Sequence, residues 1–372
     1  MQTHHHPLLS GALGTQREIV SFRYGPAGSG RKVYIQASLH ADELPGMLVA
    51  HHLRRKLLVL EAQGALLGEV VVVPVANPIG LSQTLLRAPH GRFDLASGEN
   101  FNRHYAALLA PVLERLEGAL GADEATNTGL IRAALREAVA AASAETELAH
   151  LRKTLLGLAC DAEVVLDLHC DCESVLHLYT GTPLWPQAEP LARCLGAQAT
   201  LLATESGDNP FDEACSQTWW QLAEHFKGRH PVAMGCLAVT VELRGEAEVS
   251  HPQAERDADA LLDFLRHRGV LAGHVPALPL LLRPATPLAG SEAITTPASG
   301  VLVFLRHPGD WIEVGDVVAE VVNPLTGQVN ALSSRTEGVM YARETRRYVN
   351  AGMSVCKVAG QVAFRSGNLL SA

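Results

Sequence analysis

Two polar residues of complementary chemistry, His40 and Glu43, lie three positions apart in the sequence. The apolar run 33–37 before them predicts a buried strand, and the helical spacing of apolar residues over 47–60 predicts a helix after them. The pair therefore belongs to a loop at the carboxyl end of a strand, where open α/β sheets bind their ligands. Because an imidazole and a carboxylate on one such loop can bind the same cation, the pair predicts part of a metal site.

His169 and Glu242 each follow a continuous apolar run that predicts another buried strand. Catalytic zinc sites commonly combine three protein ligands with an open position, and two histidines plus one glutamate are a known ligand set. We therefore expect His40, Glu43 and His169 to bind one Zn²⁺ per chain. Glu242 then remains as the general base that takes a proton from the zinc-bound water.

A polar loop over residues 81–104 supplies positive charge and hydrogen-bond donors. Loops this long within a compact domain are usually functional. Its polar groups include Arg87 or Arg92 and the pair Asn102-Arg103. Such groups can hold a substrate carboxylate and polarise a scissile carbonyl. The loop is thus expected to form the substrate-binding half of the site.

Each of these residues also has a purely structural interpretation. A histidine and a glutamate at this spacing arise often by chance, and His169 alone is more typical of a hydrogen-bonded core histidine. Glu242 could pair with Arg244 on the surface, and the neighbours Asn102 and Arg103 could form a helix-start cap and salt bridge. Their joint occurrence, in order and after successive apolar strands, favours the metal site.

Predicted strands alternate with predicted helices through the first part of the chain, which favours a mixed, mostly parallel α/β sheet with helices on both faces. The strands are expected over 33–37, 69–76, 162–168 and 237–241, and the main helices over 47–60, 105–120, 128–143, 145–160, 215–226 and 254–268.

The sequence changes character after about residue 275, where closely spaced prolines mark a linker. The remainder has short alternating strands, no helical pattern and a weak internal repeat, which predict a small all-β barrel-sandwich domain. We expect a hydrolase-type domain over 1–285 and the β domain over 286–372.

The composition narrows the class of protein. Hydrophobic residues make up 47% and charged residues 19%, and the net charge of −9 argues against nucleic-acid binding. The seven cysteines are scattered, which fits a reducing compartment. Without a signal-peptide pattern or an apolar run of about 18 residues, a soluble, cytoplasmic protein that binds no membrane is expected. The histidine cluster 4–6 is assigned no role.

The motifs, taken together, resemble those of the zinc carboxypeptidase superfamily, and more closely its succinylglutamate desuccinylase/aspartoacylase branch. The resemblance covers roughly residues 30–270 and rests on His40-x-x-Glu43, Asn77-Pro78, Asn102-Arg103, Asp167-Leu168-His169 and Val241-Glu242. It implies a zinc carboxypeptidase-like fold with His40, Glu43 and His169 as zinc ligands. It also implies that Glu242 is the catalytic glutamate and that Asn102 and Arg103 bind the substrate carboxylate.

The resemblance also implies an arginine that polarises the carbonyl, between the Asn-Pro and Asn-Arg motifs. When residues are counted forward from Asn77, the position of this arginine falls at Arg87. When they are counted back from Asn102, it falls at Arg92. We prefer Arg87 for this role and keep Arg92 as a substrate-binding residue. Phe101 departs from the family pattern, which often has Asp-Leu before Asn-Arg, so the usual acidic partner of the pair is missing there.

The activity that the resemblance implies is hydrolysis of the amide of a small N-acyl amino acid. Aspartate, glutamate and diamino acids are the alternatives for its amino-acid part. The alternatives are a zinc carboxypeptidase that acts on peptides and an inactive binding protein. The C-terminal domain resembles lipoyl and biotinyl carriers, but residues 324–340 lack the lysine that a carrier needs. It is expected instead to cap the site or to mediate homo-oligomerisation.

Overall fold

The structure, a computed structural model, describes residues 1–28 and 30–370. The α-helices in this part of the chain are α1 (Pro45–Ala62), α2 (Pro78–Leu81), α3 (Leu109–Leu116), α4 (Glu124–Ala141), α5 (Glu147–Ala159), α6 (Trp185–Leu195), α7 (Phe211–His225) and α8 (His251–His267). None of them is both long and apolar enough to cross a membrane.

The strands up to the proline-rich linker are β1 (Gln2–Pro7), β2 (Glu18–Tyr24), β3 (Lys32–Ala37), β4 (Glu69–Val73), β5 (Thr84–Leu85), β6 (Ala88–Pro89), β7 (Val164–Asp171), β8 (Glu173–Ser174), β9 (His177–Gly181), β10 (Ala199–Ala203) and β11 (Leu237–Gly245). Those that follow are β12 (Thr286–Pro287), β13 (Ser291–Thr295), β14 (Gly300–Phe304), β15 (Trp311–Ile312), β16 (Val317–Val322), β17 (Val329–Ser333), β18 (Gly338–Arg343), β19 (Tyr348–Val349) and β20 (Ser354–Gly360).

Nine strands form one mixed sheet in the order β1-β2-β4-β3-β7-β11-β9-β10-β12. The central strands β4, β3, β7 and β11 run parallel to one another, and β2 and β9 pair antiparallel at either side of them. Because parallel strands are covered on both faces, their sequences are continuous apolar runs rather than alternating ones. The predicted mixed, mostly parallel α/β class is confirmed.

Helices cover both faces of this sheet, and each face has its own apolar core. Residues of α3, α4, α5 and α7 pack on one face, and residues of α1, α6 and α8 pack on the other. The direct consequence for function is that the carboxyl ends of β3, β7 and β11 meet at one edge of the sheet, where His40, His169 and Glu242 lie.

Two segments differ from the sequence-based expectation. The histidine cluster lies in β1, which pairs antiparallel with β2 and forms the edge of the sheet. Its polar sequence gives no apolar pattern, because an edge strand is held mainly by backbone hydrogen bonds. The long loop after β4 contains a small hairpin of β5 and β6, whose two short exposed strands are below the length that periodicity detects.

The C-terminal strands form two further sheets with a shared apolar core. One has the order β13-β20-β18-β15 and also takes in β8, and the other has the order β17-β16-β14-β19. This matches the predicted all-β barrel-sandwich. The division at 285/286 stays a prediction, since β12 pairs with β10 in the large sheet and β8 pairs with β18.

Candidate active site

The loop between β3 and α1 carries His40 and Glu43 and lies against β7. Pro45 begins the helix, a position where its missing N–H costs nothing. A side chain at Gly46 would place its Cβ atom 3.0 Å from the carbonyl oxygen of Leu168. The glycine therefore allows the start of α1 to approach β7 closely, and this brings Glu43 beside His169.

The Glu43 carboxylate joins the two histidines. His40 Nδ1 lies 2.8 Å from Glu43 Oε1, and His169 Nδ1 lies 2.7 Å from Glu43 Oε2. The backbone N–H of Cys170 donates a further hydrogen bond of 3.1 Å to Oε2. All three side chains are buried, so their mutual arrangement is held by packing as well as by hydrogen bonds.

The remaining ring nitrogens of the histidines face polar groups that orient the rings. His40 Nε2 lies 2.9 Å from Asn100 Oδ1, and His169 Nε2 lies 3.0 Å from Asp167 Oδ2. Asp167 Oδ1 in turn accepts a 2.9 Å hydrogen bond from Gln36. Both histidines therefore present Nδ1 to the Glu43 carboxylate, while their Nε2 atoms face Asn100 and Asp167.

The electrostatics of this cluster favour an ionised carboxylate. Burial alone would raise the pKa of Glu43, but the neighbouring His169 and His40 hold it below its usual range. Burial would lower the pKa of His169, yet Asp167 and Glu43 hold it well above its usual value. Glu43 is thus an anion at neutral pH, as a carboxylate that ligates a metal must be.

These residues fit a metal ion. One ligand atom from each of His40, Glu43 and His169 lies within 4.8 Å of the others. Across residues 1–28 and 30–370, no other group of His, Cys, Asp or Glu side chains meets this criterion. Two imidazole nitrogens and one carboxylate oxygen are donors that catalytic zinc sites use while a further position stays open.

Glu242 lies on β11 directly beside His169 of β7, since the two residues are register partners of parallel strands. Its Oε2 atom is buried and has no hydrogen-bond partner among the described residues. Burial and the charge of Glu43 raise the pKa of Glu242 to about 8. The alternative of a surface pair with Arg244 is not found, because Arg244 pairs with Asp257.

Arg92 reaches the cluster of His40, Glu43 and His169, whereas Arg87 does not. Arg92 Nη1 lies 3.3 Å from His40 Nδ1 and 3.5 Å from Glu43 Oε1. Arg87 occupies the exposed turn between β5 and β6, with a φ of 71°, and is not among the residues that line the cavity. The structure brings Arg92 and not Arg87 to the cavity, because the residues around Arg87 fold into the hairpin of β5 and β6.

Asn102 and Arg103 are buried and line the same cavity as the cluster. Asn102 Oδ1 accepts a 2.9 Å hydrogen bond from the backbone N–H of Phe211, the first residue of α7. Arg103 Nη1 donates to the carbonyl oxygen of Asn102 at 2.6 Å. Asn102 is thus a helix cap, as one alternative supposed, but for a helix that is remote in the sequence.

The cavity has a volume of about 510 Å³ and is lined by both parts of the chain. His40, His169 and Glu242 line it from the large-sheet part of the chain, and Tyr341 and Lys357 line it from the C-terminal strands. Lys357 Nζ lies 2.7 Å from Asp171 Oδ2, a link between β20 and the end of β7. The C-terminal part therefore completes the wall of the site.

Sequence reasoning missed three groups that support the site. Asn100 orients His40, Gln36 holds Asp167, and Lys357 pairs with Asp171. Gln36 is a polar residue inside a continuous apolar run, a signal that could have been noticed. Asn100 and Lys357 gave no such signal, because their roles depend on the course of a loop and on contact between distant strands.

The fold and the site define an α/β protein with a buried site that is suited to a metal ion. A family model, the succinylglutamate desuccinylase/aspartoacylase catalytic domain, matches residues 29–268. The chain belongs to this family. No curated protein matches the chain.

Solved structures are similar over nearly the whole chain. A succinylglutamate desuccinylase/aspartoacylase family protein from Shewanella amazonensis SB2B is 27% identical, with a TM-score of 0.85 over 96% of this chain and 98% of that one. A counterpart from Shewanella frigidimarina NCIMB 400 is 26% identical, with a TM-score of 0.85 over 96% and 97%. The ectoine utilization protein EutE (DoeB) from Ruegeria pomeroyi is 17% identical, with a TM-score of 0.68 over 96% and 95%, and shares the fold.

Proposed function

We propose that this protein is a zinc-dependent deacylase that hydrolyses the amide bond of a small N-acyl amino acid. One observation carries the proposal: His40, Glu43 and His169 form one buried cluster, and His40 and His169 line a cavity together with Glu242. The buried Oε2 atom of Glu242 has no hydrogen-bond partner among the described residues. Membership of a desuccinylase/aspartoacylase family supports the same reaction class.

The metal would be held by His40, Glu43 and His169 in this proposal. Zinc bound there would supply Lewis-acid activation of a water molecule and of the scissile carbonyl. The donor set and its buried, oriented imidazoles support zinc over harder cations, which prefer all-oxygen sites.

The other residues would bind the substrate and move its protons. Asn102 and Arg103 would hold the α-carboxylate, since a guanidinium and an amide are good donors to a carboxylate. Glu242 would take the proton from the attacking water and deliver it to the leaving amine. Arg92 would stabilise the oxyanion that develops on the carbonyl, a role that its position beside Glu43 supports better than the exposed position of Arg87.

The C-terminal strands favour a small substrate over a peptide. They contribute Tyr341, Arg343 and Lys357 to the wall of a cavity of about 510 Å³. Cavities of a few hundred Å³ are the size that encloses a small ligand. A small N-acyl amino acid, enclosed between the two parts of the chain, therefore fits this cavity better than a peptide does.

The test combines metal analysis with a substrate panel. Purified protein is analysed for metal and assayed for amine release from N-acetyl and N-succinyl amino acids and from short peptides. We expect about one zinc per chain, hydrolysis of an N-acyl amino acid, loss of activity with a chelator and recovery with zinc. H169A should lose metal and activity, and H274A, a change at an exposed histidine outside the cavity, should lose neither.

The rival functions give different results in this assay. Release of C-terminal amino acids from peptides, without cleavage of the small amides, would establish a carboxypeptidase. Protein that carries no metal, cleaves nothing and still binds an N-acyl amino acid would establish a binding protein.

A further inference from the structure

The charged side chains that line the cavity from the C-terminal part already have ion-pair or hydrogen-bond partners. Three cations pair with carboxylates: Arg343 with Glu173 at 2.6 Å, Arg346 with Glu344 at 3.0 Å, and Lys357 with Asp171 at 2.7 Å. A fourth cation, Arg365, donates to the backbone carbonyls of Ser291 at 3.2 Å and Leu369 at 2.6 Å. Three of these four cations are thus paired with carboxylates, and Arg365 is held by backbone carbonyls.

Asp212 is a lining acid without a side-chain partner among the described residues and, unlike Glu242, it has no role in the proposed reaction. It is the second residue of α7, is only 8% exposed and lines the cavity. In the described part of the chain no cation lies within ion-pair distance of it and no side chain donates to it. The backbone N–H of Glu213 and the charge of His169 lower its pKa, against the larger effect of burial. Glu213 itself accepts a 2.8 Å hydrogen bond from the backbone N–H of Ser206.

The position at the start of a helix does not account for this burial. Acidic residues are favoured in the first turn of a helix, but that preference is satisfied equally by an exposed side chain. A buried carboxylate normally has a cationic or hydrogen-bonding partner. Burial and the charge of Glu213 raise the pKa of Asp212 to about 7, so its charged form is poorly compensated by the protein alone.

Asp212 lies next to the pair that is proposed to hold the α-carboxylate. Asn102 Oδ1 accepts from the N–H of Phe211, the residue before Asp212, and the N–H of His104 donates to the carbonyl of Asp208 at 2.7 Å. The segment with Arg103 therefore runs along the entry to α7. A substrate held there by its α-carboxylate would have its side chain within reach of Asp212.

We propose that Asp212 is a specificity-determining residue that binds a protonated amine on the side chain of the substrate. The preferred substrates are then N-acyl derivatives of basic amino acids rather than of aspartate or glutamate. This inference rests on the proposed deacylase function. A counter-charge role toward Arg103 is the competing explanation, because Asp212 counteracts the effect of burial and of Arg92 on the pKa of Arg103.

The experiment compares three amides of similar size on the zinc-loaded protein. Values of kcat and KM are measured for Nα-acetyl-L-lysine, N-acetyl-L-norleucine and N-acetyl-L-glutamate with the wild type and with D212N. The matched control is D208N, which removes an exposed carboxylate near the same helix but outside the cavity. Binding of free L-lysine and L-norleucine is measured by calorimetry with the same three proteins.

We expect the wild type to prefer the lysine derivative. In D212N the ratio of kcat/KM for lysine over norleucine should fall on the order of 30-fold, chiefly through KM, because truncation of one partner of a buried charge pair is costly. Cleavage of the norleucine derivative should change little, and D208N should keep the wild-type ratio. L-lysine should bind the wild type more tightly than L-norleucine, and this difference should vanish in D212N.

Equal losses for all three amides in D212N would overturn the inference and show a role in positioning Arg103. A wild-type preference for the glutamate derivative would also overturn it while leaving the deacylase function intact. If no amide is cleaved, the proposed function fails, and the calorimetric comparison alone decides whether Asp212 binds a cation. If D212N does not fold, the wild-type preferences in rate and binding decide.

Discussion

At the scale of single residues, the site combines the hydrogen-bonded cluster of His40, Glu43 and His169 with one unpartnered carboxylate oxygen among the described residues. Glu43 is held by His40, His169 and the N–H of Cys170, so it cannot also serve as a base. Glu242 faces the same cavity with its Oε2 atom unpartnered among the described residues. This difference in hydrogen bonding supports the proposed roles of Glu43 as a metal ligand and of Glu242 as the general base.

The proposed role of Glu242 predicts that E242Q keeps one metal ion per chain and loses most turnover. The amide has nearly the same size but cannot accept a proton, so kcat should fall about 10²- to 10⁴-fold. Amine release and metal content are the measurements, with E224Q at an exposed position as control. Near-normal activity of E242Q would remove the base assignment.

The position of Arg92 predicts a clear contrast between two arginine variants. R92A should lower kcat on the order of 10²- to 10³-fold, because one oxyanion donor is lost. R87A should stay near the wild type, since Arg87 lies in an exposed turn. Steady-state kinetics of both variants measure this, and a larger loss in R87A than in R92A would reverse the assignment.

At the scale of elements, close backbone contact holds two site loops together. The N–H of Ala41 donates to the carbonyl of Gly91 at 3.0 Å, and the N–H of Gly91 donates to Asp42 Oδ2 at 3.1 Å. Gly91 directly precedes Arg92, and Ala41 directly follows His40. The contact therefore sets the distance between the proposed oxyanion donor and a ligand of the proposed metal.

This contact predicts that G91A damages both stability and the site. A Cβ atom at position 91 would lie 2.2 Å from the backbone nitrogen of Asp42, so the loops must separate. We expect a loss of roughly 1–3 kcal/mol in the free energy of unfolding and weaker metal binding. Denaturation and metal titration measure the two effects.

The matched control for that variant is G129A, in α4, where an added Cβ atom meets nothing within 4 Å. It should be neutral or stabilising by up to about 1 kcal/mol, because alanine is favoured over glycine within a helix. If G91A and G129A have the same free energy of unfolding and the same metal affinity, the close contact between the two loops is not required.

At the scale of the whole molecule, the C-terminal strands are joined to the large sheet beside the site. β8 pairs with β18, and the ion pair of Asp171 with Lys357 links β7 to β20. Buried His177 lies at the same junction, where its ring is 5.4 Å from that of Tyr179 and 4.9 Å from that of Tyr341. The junction is thus both an interface and a wall of the cavity.

His177 predicts a pH-dependent stability of this junction. Burial lowers its pKa to about 4, below the value of about 6.5 in an unfolded chain. Between these values the unfolded state binds more protons, so this contribution is fully present above about pH 6.5 and falls as the pH drops toward 4. The full effect is about 3 kcal/mol.

The H177F variant should therefore show a flatter dependence of unfolding free energy on pH between 7 and 5. It also loses the hydrogen bond between His177 Nδ1 and the carbonyl of Val175, so the slopes and not the absolute values are compared. Urea denaturation at several pH values provides the measurement. An unchanged slope would mean that His177 is solvated in the folded protein.

Much of this protein is determined by local sequence pattern. His40, Glu43, His169 and Glu242 were recognisable because each follows a continuous apolar strand, and the carboxyl ends of neighbouring parallel strands must meet at one edge. The α/β class and the all-β C-terminal part follow from the same periodicities, which depend on a few consecutive residues.

Only the tertiary structure decided which loop residues reach the site. Arg92 rather than Arg87 lies beside Glu43, because a short hairpin without an apolar pattern changes the course of the loop. Asp212 and Lys357 line the same cavity as His40 and His169 although they lie far apart in the sequence. Loop paths and contacts between distant elements depend on the packing of the whole chain, and no local pattern contains that information.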